Sequence, residues 1–253
     1  MVKQIIPFDP SRCKDVFQDR NYLSISEFYY DTIQGEGFTL GTPAAFLRLQ
    51  GCVLDCKYCD TKKVWKHGSE YSLNELVELI TQDEIFQKLV KGQHLVVTGG
   101  SPLLQQKQLV YFFNLLQRQT GLVPYLEIEN ECVIMPSLEI TRMIDQWNNS
   151  PKLSNSGVPR DKRYKPNVIK CIADFQDSWF KFVIQNESDW DEIEQDFLKP
   201  ELIKREQIIL MPCGATFSEL KKNQQLTVDM AIRENVLYRS REHIVLWDTA
   251  NGI

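Results

Sequence analysis

The sequence has no long apolar runs, internal repeats, low-complexity stretches or excess of basic residues. No apolar stretch approaches the roughly 18 residues that a membrane-spanning helix needs, so we expect no membrane segment. The formal net charge of −5, from 29 basic and 34 acidic residues, argues against direct nucleic-acid binding, which usually requires a basic surface. The first twenty residues mix prolines with charges, which is not typical of a signal peptide, and we expect a cytoplasmic protein.

Cysteine occurs an odd number of times, seven, in a chain of 253 residues. An odd count without an export signal argues against a disulfide framework. A chain of this length buries about three quarters of its unfolded surface, so it needs neither disulfides nor a metal simply to remain folded. The apolar share of 43% and the charged share of 25% are typical of a globular protein. The positions of the cysteines are therefore more informative than their number.

Strands and helices are predicted to alternate along most of the chain. We predict an extended N-terminal arm over residues 1–20 and a single domain over 21–253. Strands are predicted over 21–30, 44–49, 94–98, 123–128, 179–184, 208–211 and 243–247. Helices are predicted from Ser72, through 109–116, over 137–148, and near 188–199 and 226–239. This alternation favours an α/β fold with a mostly parallel sheet, open or curled into a full or partial barrel. In either arrangement, chemistry collects at the C-terminal ends of the strands.

Local signals mark two helix ends and one irregular segment. Ser72 and Glu75 have the spacing of a capping box, which begins a helix. Gly121 is a candidate C-cap for the helix before it. Residues 152–178 are polar, contain two prolines and have no clear period. We predict an insertion or lid between two barrel strands there, with a solvated surface loop as the alternative.

Three cysteines, Cys52, Cys56 and Cys59, follow a predicted strand with C-x3-C-x2-C spacing. Thiolates are the soft ligands of iron–sulfur clusters and zinc. A structural zinc site needs four protein ligands, whereas a four-iron cluster held by three cysteines leaves one iron open to a small molecule. Three buried free thiols are the third alternative, but three cysteines in eight residues beside charged neighbours are not typical of core packing.

The spacing resembles the cluster motif of radical S-adenosylmethionine (SAM) enzymes, in which the open iron chelates the amino and carboxylate groups of SAM. The segment DTIQGEGFTLGTPAAFLRLQGCVLDCKYCDT further resembles the N-terminal signature of the 7-carboxy-7-deazaguanine synthase family. The resemblance implies a shortened, partial TIM-like barrel with its cluster-binding loop after the first barrel strand. It also implies a lyase of queuosine and 7-deazapurine biosynthesis, which contracts 6-carboxy-5,6,7,8-tetrahydropterin to 7-carboxy-7-deazaguanine with loss of ammonia.

The resemblance also implies the groups that bind the substrate and a Mg²⁺ ion. Arg48 offers a planar fork for the substrate carboxylate, and Glu36 can accept hydrogen bonds from the pterin edge. Thr61, after the cluster motif, implies a Mg²⁺ ligand shared with the substrate carboxylate. The further substrate-binding residues implied are Gln34, Gly35, Gly37, His243 and Ile253.

A second set of residues is implied to bind SAM: Tyr58, Gly99, Gly100, Ser101, Glu127, Ser150 and Lys152. Ser101 stands where the family's G-G-E-P segment has glutamate, so a side-chain role at this position departs from the pattern. Glu127 is aligned with the glutamate of the family's E-T-N-G segment, which makes Glu129 a departure.

The resemblance implies a [4Fe-4S] cluster, SAM and Mg²⁺ as cofactors, a flavodoxin- or ferredoxin-type electron donor, and a homodimer. Two alternatives remain open from the sequence. One is another small radical SAM enzyme, such as a glycyl-radical activase. The other is a zinc-binding interaction module, in which His67 or His243 supplies a fourth ligand to the three cysteines.

Overall fold

The computed structural model describes residues 2–9, 11 and 21–249. Its strands are β1 (Lys3–Ile6), β2 (Tyr22–Ile33), β3 (Pro43–Leu49), β4 (Ser69–Ser72), β5 (His94–Gly99), β6 (Leu126–Asn130), β7 (Gln146–Asn149), β8 (Ser178–Ile184), β9 (Ile208–Pro212) and β10 (Leu237–Tyr238). Its α-helices are α1 (Lys62–Trp65), α2 (Leu73–Gln82), α3 (Ile85–Val90), α4 (Gln106–Thr120), α5 (Leu138–Thr141), α6 (Arg160–Arg163), α7 (Pro166–Ala173), α8 (Ser188–Ile193), α9 (Phe217–Glu234) and α10 (Glu242–Trp247). None of the described helices has the length and apolar character needed to cross a membrane.

The strands form one sheet in the order β1-β2-β3-β5-β6-β7-β8-β9-β10, with β4 paired to β2. From β3 to β10 every neighbouring pair is parallel, while β1, β2 and β4 are antiparallel additions at one side. Within the described residues, β1 and β10 remain the two ends of the sheet and do not pair. The predicted α/β class with a mostly parallel sheet is confirmed, and the sheet is an open one.

The main core lies between the helices and one face of this sheet, where Leu47 of β3 and Phe182 of β8 are fully buried. The neighbouring residues Arg48 and Lys181 point to the opposite face, which carries the cavity. Strand β5 is a continuous apolar run whose residues Leu95, Val96 and Val97 are fully buried. Helix α2 begins with the predicted capping box, in which the Ser72 hydroxyl accepts from the Glu75 amide. Helix α4 ends at Gly121 in the left-handed conformation, also as predicted.

Two predicted elements are wrong in type. Residues 137–148 are not one helix: α5 ends at Thr141, and Gln146–Asn149 form the central strand β7. The polar sequence QWNN hides this strand, whose buried amides bond to each other, as Asn130 Nδ2 does to Asn149 Oδ1 over 3.1 Å. Residues 243–247 form α10 instead of a strand. Only Ile244 of this apolar run is fully buried, and so short a run does not distinguish a strand from a helix.

Other predictions differ in their boundaries. Helix α9 begins at Phe217, capped by the Thr216 side chain, and ends at Glu234 instead of extending to 239. The strand predicted over 123–128 lies at Leu126–Asn130.

Segment 152–178 and the N-terminal arm are both more closely integrated than the sequence suggests. Helix α7 is the crossover between β7 and β8, and its residues Ile169 and Ile172 are fully buried in the main core. Earlier in the segment, the Ser156 carbonyl accepts from the Lys57 amide of the cysteine loop over 3.0 Å. Lys3–Ile6, within the predicted arm, pair with β2 as an edge strand. Most of the rest of the arm lies outside the described residues.

Candidate active site

A cavity of about 690 Å³ lies at the C-terminal ends of the parallel strands. The three cysteines lie on the loop that follows β3. Strands β5, β6 and β8 contribute Gly99, Glu129 and Lys181 to the cavity wall. The loops after β7 and β9 and the start of α10 complete it. This is the edge at which parallel α/β sheets place their ligands.

The cysteine loop is held by its neighbours in a conformation that exposes all three thiols to the cavity. The Leu54 amide donates to Cys52 Sγ over 3.5 Å, and Leu54 and Cys56 pack against Val158. Burial raises the pKa of the Cys56 thiol, Lys152 opposes this rise, and the neighbouring Cys52 and Cys59 add to it. A metal centre would stabilise the thiolate forms of these cysteines, because metals bind cysteine as the thiolate.

The spacing of the thiols bears on which centre they fit. Among the described residues, the only His, Cys, Asp or Glu group of three or more with ligand atoms within 4.8 Å of one another is Glu36, Asp60 and His243. The three cysteine sulfurs are therefore not gathered that closely. Tetrahedral zinc, with bonds of about 2.3 Å, holds its sulfur ligands about 3.8 Å apart. The wider arrangement fits an iron–sulfur cluster, in which each cysteine binds a different iron.

Gly100 allows the loop after β5 to lie directly on the cysteine loop. A Cβ at this position would lie 2.3 Å from Cys52 Cβ and 2.4 Å from the Gly51 carbonyl oxygen. Ser101 is 1% exposed; its hydroxyl accepts from the Val53 amide over 3.1 Å and lies 3.8 Å from Cys52 Sγ. Ser101 therefore supports the cysteine loop and does not line the cavity.

A largely buried network of charges links the loop after β2 to the start of α10. Glu36 accepts from Lys181 Nζ over 2.7 Å and from Arg241 Nε over 2.8 Å. Although burial raises the pKa of Glu36, Lys181 and Arg241 lower it well below its ordinary value. Arg241 also donates to Asp60 Oδ2 over 2.6 Å, and Arg241 and His243 together hold the pKa of Asp60 below its ordinary value against the effect of burial.

Lys181 also pairs with Glu129, which accepts a further hydrogen bond from Gln34 Nε2 over 3.1 Å. Burial raises the pKa of Glu129, and Lys181 offsets only part of that rise. One lysine is thus shared between two carboxylates. The Glu129 carboxylate can therefore accept a hydrogen bond from a further donor in the cavity.

Arg48 is oriented by the strand beside it. Its Nε donates to Glu27 Oε1 over 2.6 Å, and its Nη2 lies 3.5 Å from the Tyr29 hydroxyl. The register of β2 and β3 sets Glu27 directly opposite Arg48. Despite burial, the Glu27 carboxylate keeps the pKa of Arg48 above its ordinary value. The cavity therefore contains a fixed, permanently charged guanidinium of the kind that binds carboxylates.

Most residues predicted for the site do line the cavity. They are Gln34, Gly35, Glu36, Arg48, Cys52, Cys56, Tyr58, Cys59, Thr61, Gly99, Gly100, Ser150, Lys152 and His243. Thr61 Oγ1 lies 3.7 Å from Cys59 Sγ, and Lys152 Nζ donates to Ser150 Oγ over 2.7 Å. Ile253 lies outside the described residues.

Glu127 and Gly37, two further residues predicted for the site, do not line the cavity. Glu127 is fully buried beneath it, where it accepts from Thr39, Asn148 and Gln34 and contacts His94 Nδ1 at 2.5 Å. Glu129, on the same face of β6, does reach the cavity. Gly37 has φ of +74°, and a Cβ there would lie 2.8 Å from Asn148 Oδ1. The glycine is therefore needed for packing and does not line the cavity.

Sequence reasoning missed several charged residues of the cavity: Glu27, Asp60, Glu129, Glu131, Lys181 and Arg241. Lys181 could have been found from the sequence, because it is the single charged residue inside the otherwise apolar strand SWFKFVI. Glu129 and Glu131 could have been found from their alternation with Glu127 along β6 and the residue after it, which predicts one common face for all three. Arg241 had none, since its partners are distant in sequence.

A cluster loop with three cysteines, at the C-terminal edge of a mostly parallel α/β sheet, defines a radical SAM enzyme. Residues 33–127 match a family model described as a 4Fe-4S single cluster domain. A relative from Pyrobaculum aerophilum, named 7-carboxy-7-deazaguanine synthase, is 35% identical over 225 residues, covering 88% of this chain and 94% of the relative. Another of that name, from Halobacterium salinarum, is 29% identical over 251 residues, covering 90% and 91%. The chain belongs to the 7-carboxy-7-deazaguanine synthase family.

The fold agrees with this assignment. The crystal structure of QueE from Escherichia coli superposes with a TM-score of 0.64 at 21% identity. The match covers 88% of this chain and 95% of that one. The predicted fold, a partial barrel of the radical SAM type, is confirmed by this likeness.

Proposed function

We propose that the protein is a 7-carboxy-7-deazaguanine synthase that contracts 6-carboxy-5,6,7,8-tetrahydropterin to 7-carboxy-7-deazaguanine and ammonia. The observation that carries the proposal is that one cavity contains both the three cysteines and the carboxylate-binding Arg48. A carboxylated substrate bound at Arg48 lies in the same enclosure as the cluster and SAM. The hard chemistry belongs to the cofactors, and the protein positions the substrate and excludes water.

Substrate binding is assigned to the groups opposite the cysteine loop. Arg48, held by Glu27, presents guanidinium N–H groups to the substrate carboxylate. Gln34, Glu36 and Glu129 supply amide and carboxylate groups that match the N–H-rich edge of a pterin. Because both oxygens of Glu36 already accept from cations, its bonds to substrate are shared with Lys181 and Arg241.

SAM and the reduced cluster together supply the one-electron chemistry that removes the hydrogen from C6 of the substrate. Cys52, Cys56 and Cys59 hold the cluster, and Tyr58, Gly99, Gly100, Ser150 and Lys152 surround the space for SAM. The charge network fixes the loop after β2, here called the substrate loop (residues 34–37), against the cysteine loop. It thereby fixes where the C6 hydrogen would lie.

The Thr61 hydroxyl would hold a Mg²⁺ ion, which would help to bind and orient the substrate carboxylate. The alternative group of Glu36, Asp60 and His243 has suitable ligand atoms within 4.8 Å of one another. Arg241 and Lys181 already neutralise its two carboxylates. A divalent cation there meets two fixed positive charges, which favours the Thr61 position.

The proposal extends to the setting in which the enzyme works. We expect a cytoplasmic homodimer that is reduced by a flavodoxin- or ferredoxin-type donor and contacts neither nucleic acid nor membrane directly. Sedimentation of the anaerobically purified protein measures the oligomeric state. A monomer at micromolar concentration contradicts the dimer.

Two measurements test the proposed function in turn. Anaerobic purification should give a brown protein with about four irons per chain, whereas stoichiometric zinc without iron would support the interaction module. Incubation with dithionite, SAM, Mg²⁺ and carboxytetrahydropterin should then release ammonia with the ring-contracted product. Release of 5′-deoxyadenosine without that product would support the assignment to the radical SAM superfamily but would rule out the proposed substrate.

A further inference from the structure

Glu131 is a buried carboxylate that the structure leaves without a partner. The residue is 5% exposed, it lines the cavity, and neither of its side-chain oxygens has a hydrogen-bond partner within the described part of the chain. Three other acids of the cavity, Glu36, Asp60 and Glu129, each pair with a lysine or an arginine. A buried carboxylate with no donor is costly. An unpartnered buried carboxylate such as Glu131 is expected where a bound ligand supplies the hydrogen-bond donor.

The position of Glu131 indicates which ligand this is. It directly follows β6, whose parallel neighbour β5 leads into Gly100. A Cβ at Gly100 would lie 2.3 Å from Cys52 Cβ, so this end of the sheet lies against the cysteine loop. Burial raises the pKa of Glu131, and the Ser101 hydroxyl and the Lys152 ammonium group act to lower it. Lys152 forms no ion pair with it and donates instead to Ser150. The missing donor therefore belongs to the molecule that binds next to the cluster.

Ser101 leaves the neighbouring loop without an acid. It follows Gly99-Gly100 and carries a short hydroxyl side chain. That hydroxyl accepts from the Val53 amide of the cysteine loop over 3.1 Å. The loop after β5 therefore has no acid at this position to offer to a cationic ligand group. Glu131, directly after the neighbouring strand β6, supplies one at the same end of the sheet.

We propose that Glu131 accepts hydrogen bonds from the α-ammonium group of SAM. The proposal rests on the proposed function, since it needs SAM at the cluster. A charge-assisted hydrogen bond is about twice as strong as a neutral one and is short and directional. Glu131 thereby binds SAM and orients its amino-acid end.

The test is equilibrium dialysis of the reconstituted, cluster-containing protein with radiolabelled SAM and, separately, with 5′-methylthioadenosine, which lacks the amino-acid part. We expect Glu131→Gln to weaken SAM binding about 10- to 100-fold and to leave 5′-methylthioadenosine binding unchanged. Glu131→Ala should behave in the same way. The matched control is Glu127→Gln, an acid of strand β6 that lies outside the cavity, which should bind SAM as the wild type does.

A merely structural role gives a different pattern. Because neither side-chain oxygen of Glu131 has a hydrogen-bond partner among the described residues, Glu131→Gln should unfold at a temperature no lower than that of the wild type. Equal SAM affinity in the wild type and both Glu131 variants overturns the proposal, and so does a matching loss of 5′-methylthioadenosine binding. A wild-type protein that carries iron but binds no SAM overturns the proposed function instead, so the two failures are distinguishable.

Discussion

Arg241 donates to Asp60 over 2.6 Å and so joins the residue after the cysteine motif to the start of the last described helix. The same guanidinium donates to Glu36 over 2.8 Å, and the Glu242 amide donates to the Gly35 carbonyl over 2.8 Å. The substrate loop, the cysteine loop and the C-terminal segment therefore meet at one buried arginine. Under the proposed function, Arg241 would keep the substrate at a fixed distance from the cluster because it holds both loops.

Replacing Arg241 should disrupt both folding and activity. Arg241→Ala leaves Asp60 buried without its charge partner and removes one of two partners from Glu36, which should cost about 3–5 kcal/mol of unfolding free energy. Arg241→Lys keeps the charge but not the fork that spans both carboxylates, so product formation should still fall sharply. Urea unfolding and product assays measure the two effects.

Arg233→Ala is the matched control for this prediction. Arg233 pairs with Glu187 and Glu234 at the surface, where ion pairs contribute little. Its replacement should leave both measurements near the wild-type values. If Arg241→Ala behaved like Arg233→Ala, the arginine would not hold the two loops together.

Glu127→Gln should affect stability and spare cofactor binding. The carboxylate accepts from several protein donors beneath the cavity, and an amide there directs N–H groups at some of them. We expect a loss of about 1–3 kcal/mol in unfolding free energy with no change in SAM affinity, measured by thermal unfolding and dialysis. Weaker SAM binding in a protein of unchanged stability would restore the assignment made from the sequence.

The stability of SAM-free protein should depend on pH through Glu131. Burial raises the pKa of Glu131 to about 7 from an ordinary value of 4.5. Between these values the unfolded chain loses the proton and the folded chain keeps it, so stability falls as pH rises through this range. The effect amounts to about 3 kcal/mol. Glu131→Gln has no such proton, so its stability relative to the wild type should improve by about that amount from pH 4.5 to 8.

Urea titrations of both proteins across this range measure the difference. Comparing the two at each pH cancels every other titrating group. A difference that does not change with pH would show that Glu131 is ionised and solvated in the folded protein.

Thr61 should set the response to magnesium. Thr61→Ala removes the hydroxyl and should raise severalfold the Mg²⁺ concentration needed for half-maximal turnover, while Thr61→Ser should keep the wild-type response. SAM affinity should be the same in all three proteins, because the hydroxyl is not assigned to SAM. Equal Mg²⁺ responses in the wild type and Thr61→Ala would remove Thr61 from the ion's coordination.

The sequence was most informative where function and local pattern coincide. The C-x3-C-x2-C spacing located the cluster loop, and the capping box at Ser72 and the glycine at Gly121 placed two helix ends correctly. These features depend on residues close together in the chain. Strand β7 was missed because its polar side chains are buried by pairing with Asn130 and Ser178, which are distant in sequence.

The charge network was beyond the reach of local pattern for the same reason. Arg241 and Asp60 are 181 positions apart, and nothing near either residue identifies the other. The choice between Glu127 and Glu129 likewise depended on how far β6 extends beneath the cavity, which only the three-dimensional structure supplies. Motifs identified the chemistry, and long-range packing decided which acids take part in it.

The most direct test of the central claim is product formation by the reconstituted wild type beside Cys56→Ala. Both proteins are incubated anaerobically with dithionite, SAM, Mg²⁺ and 6-carboxy-5,6,7,8-tetrahydropterin, and the mixtures are analysed by mass spectrometry. The account predicts 7-carboxy-7-deazaguanine from the wild type and none from the variant, which lacks one of three cluster ligands. Iron-loaded wild-type protein that cleaves SAM to 5′-deoxyadenosine and leaves the pterin unchanged would contradict it.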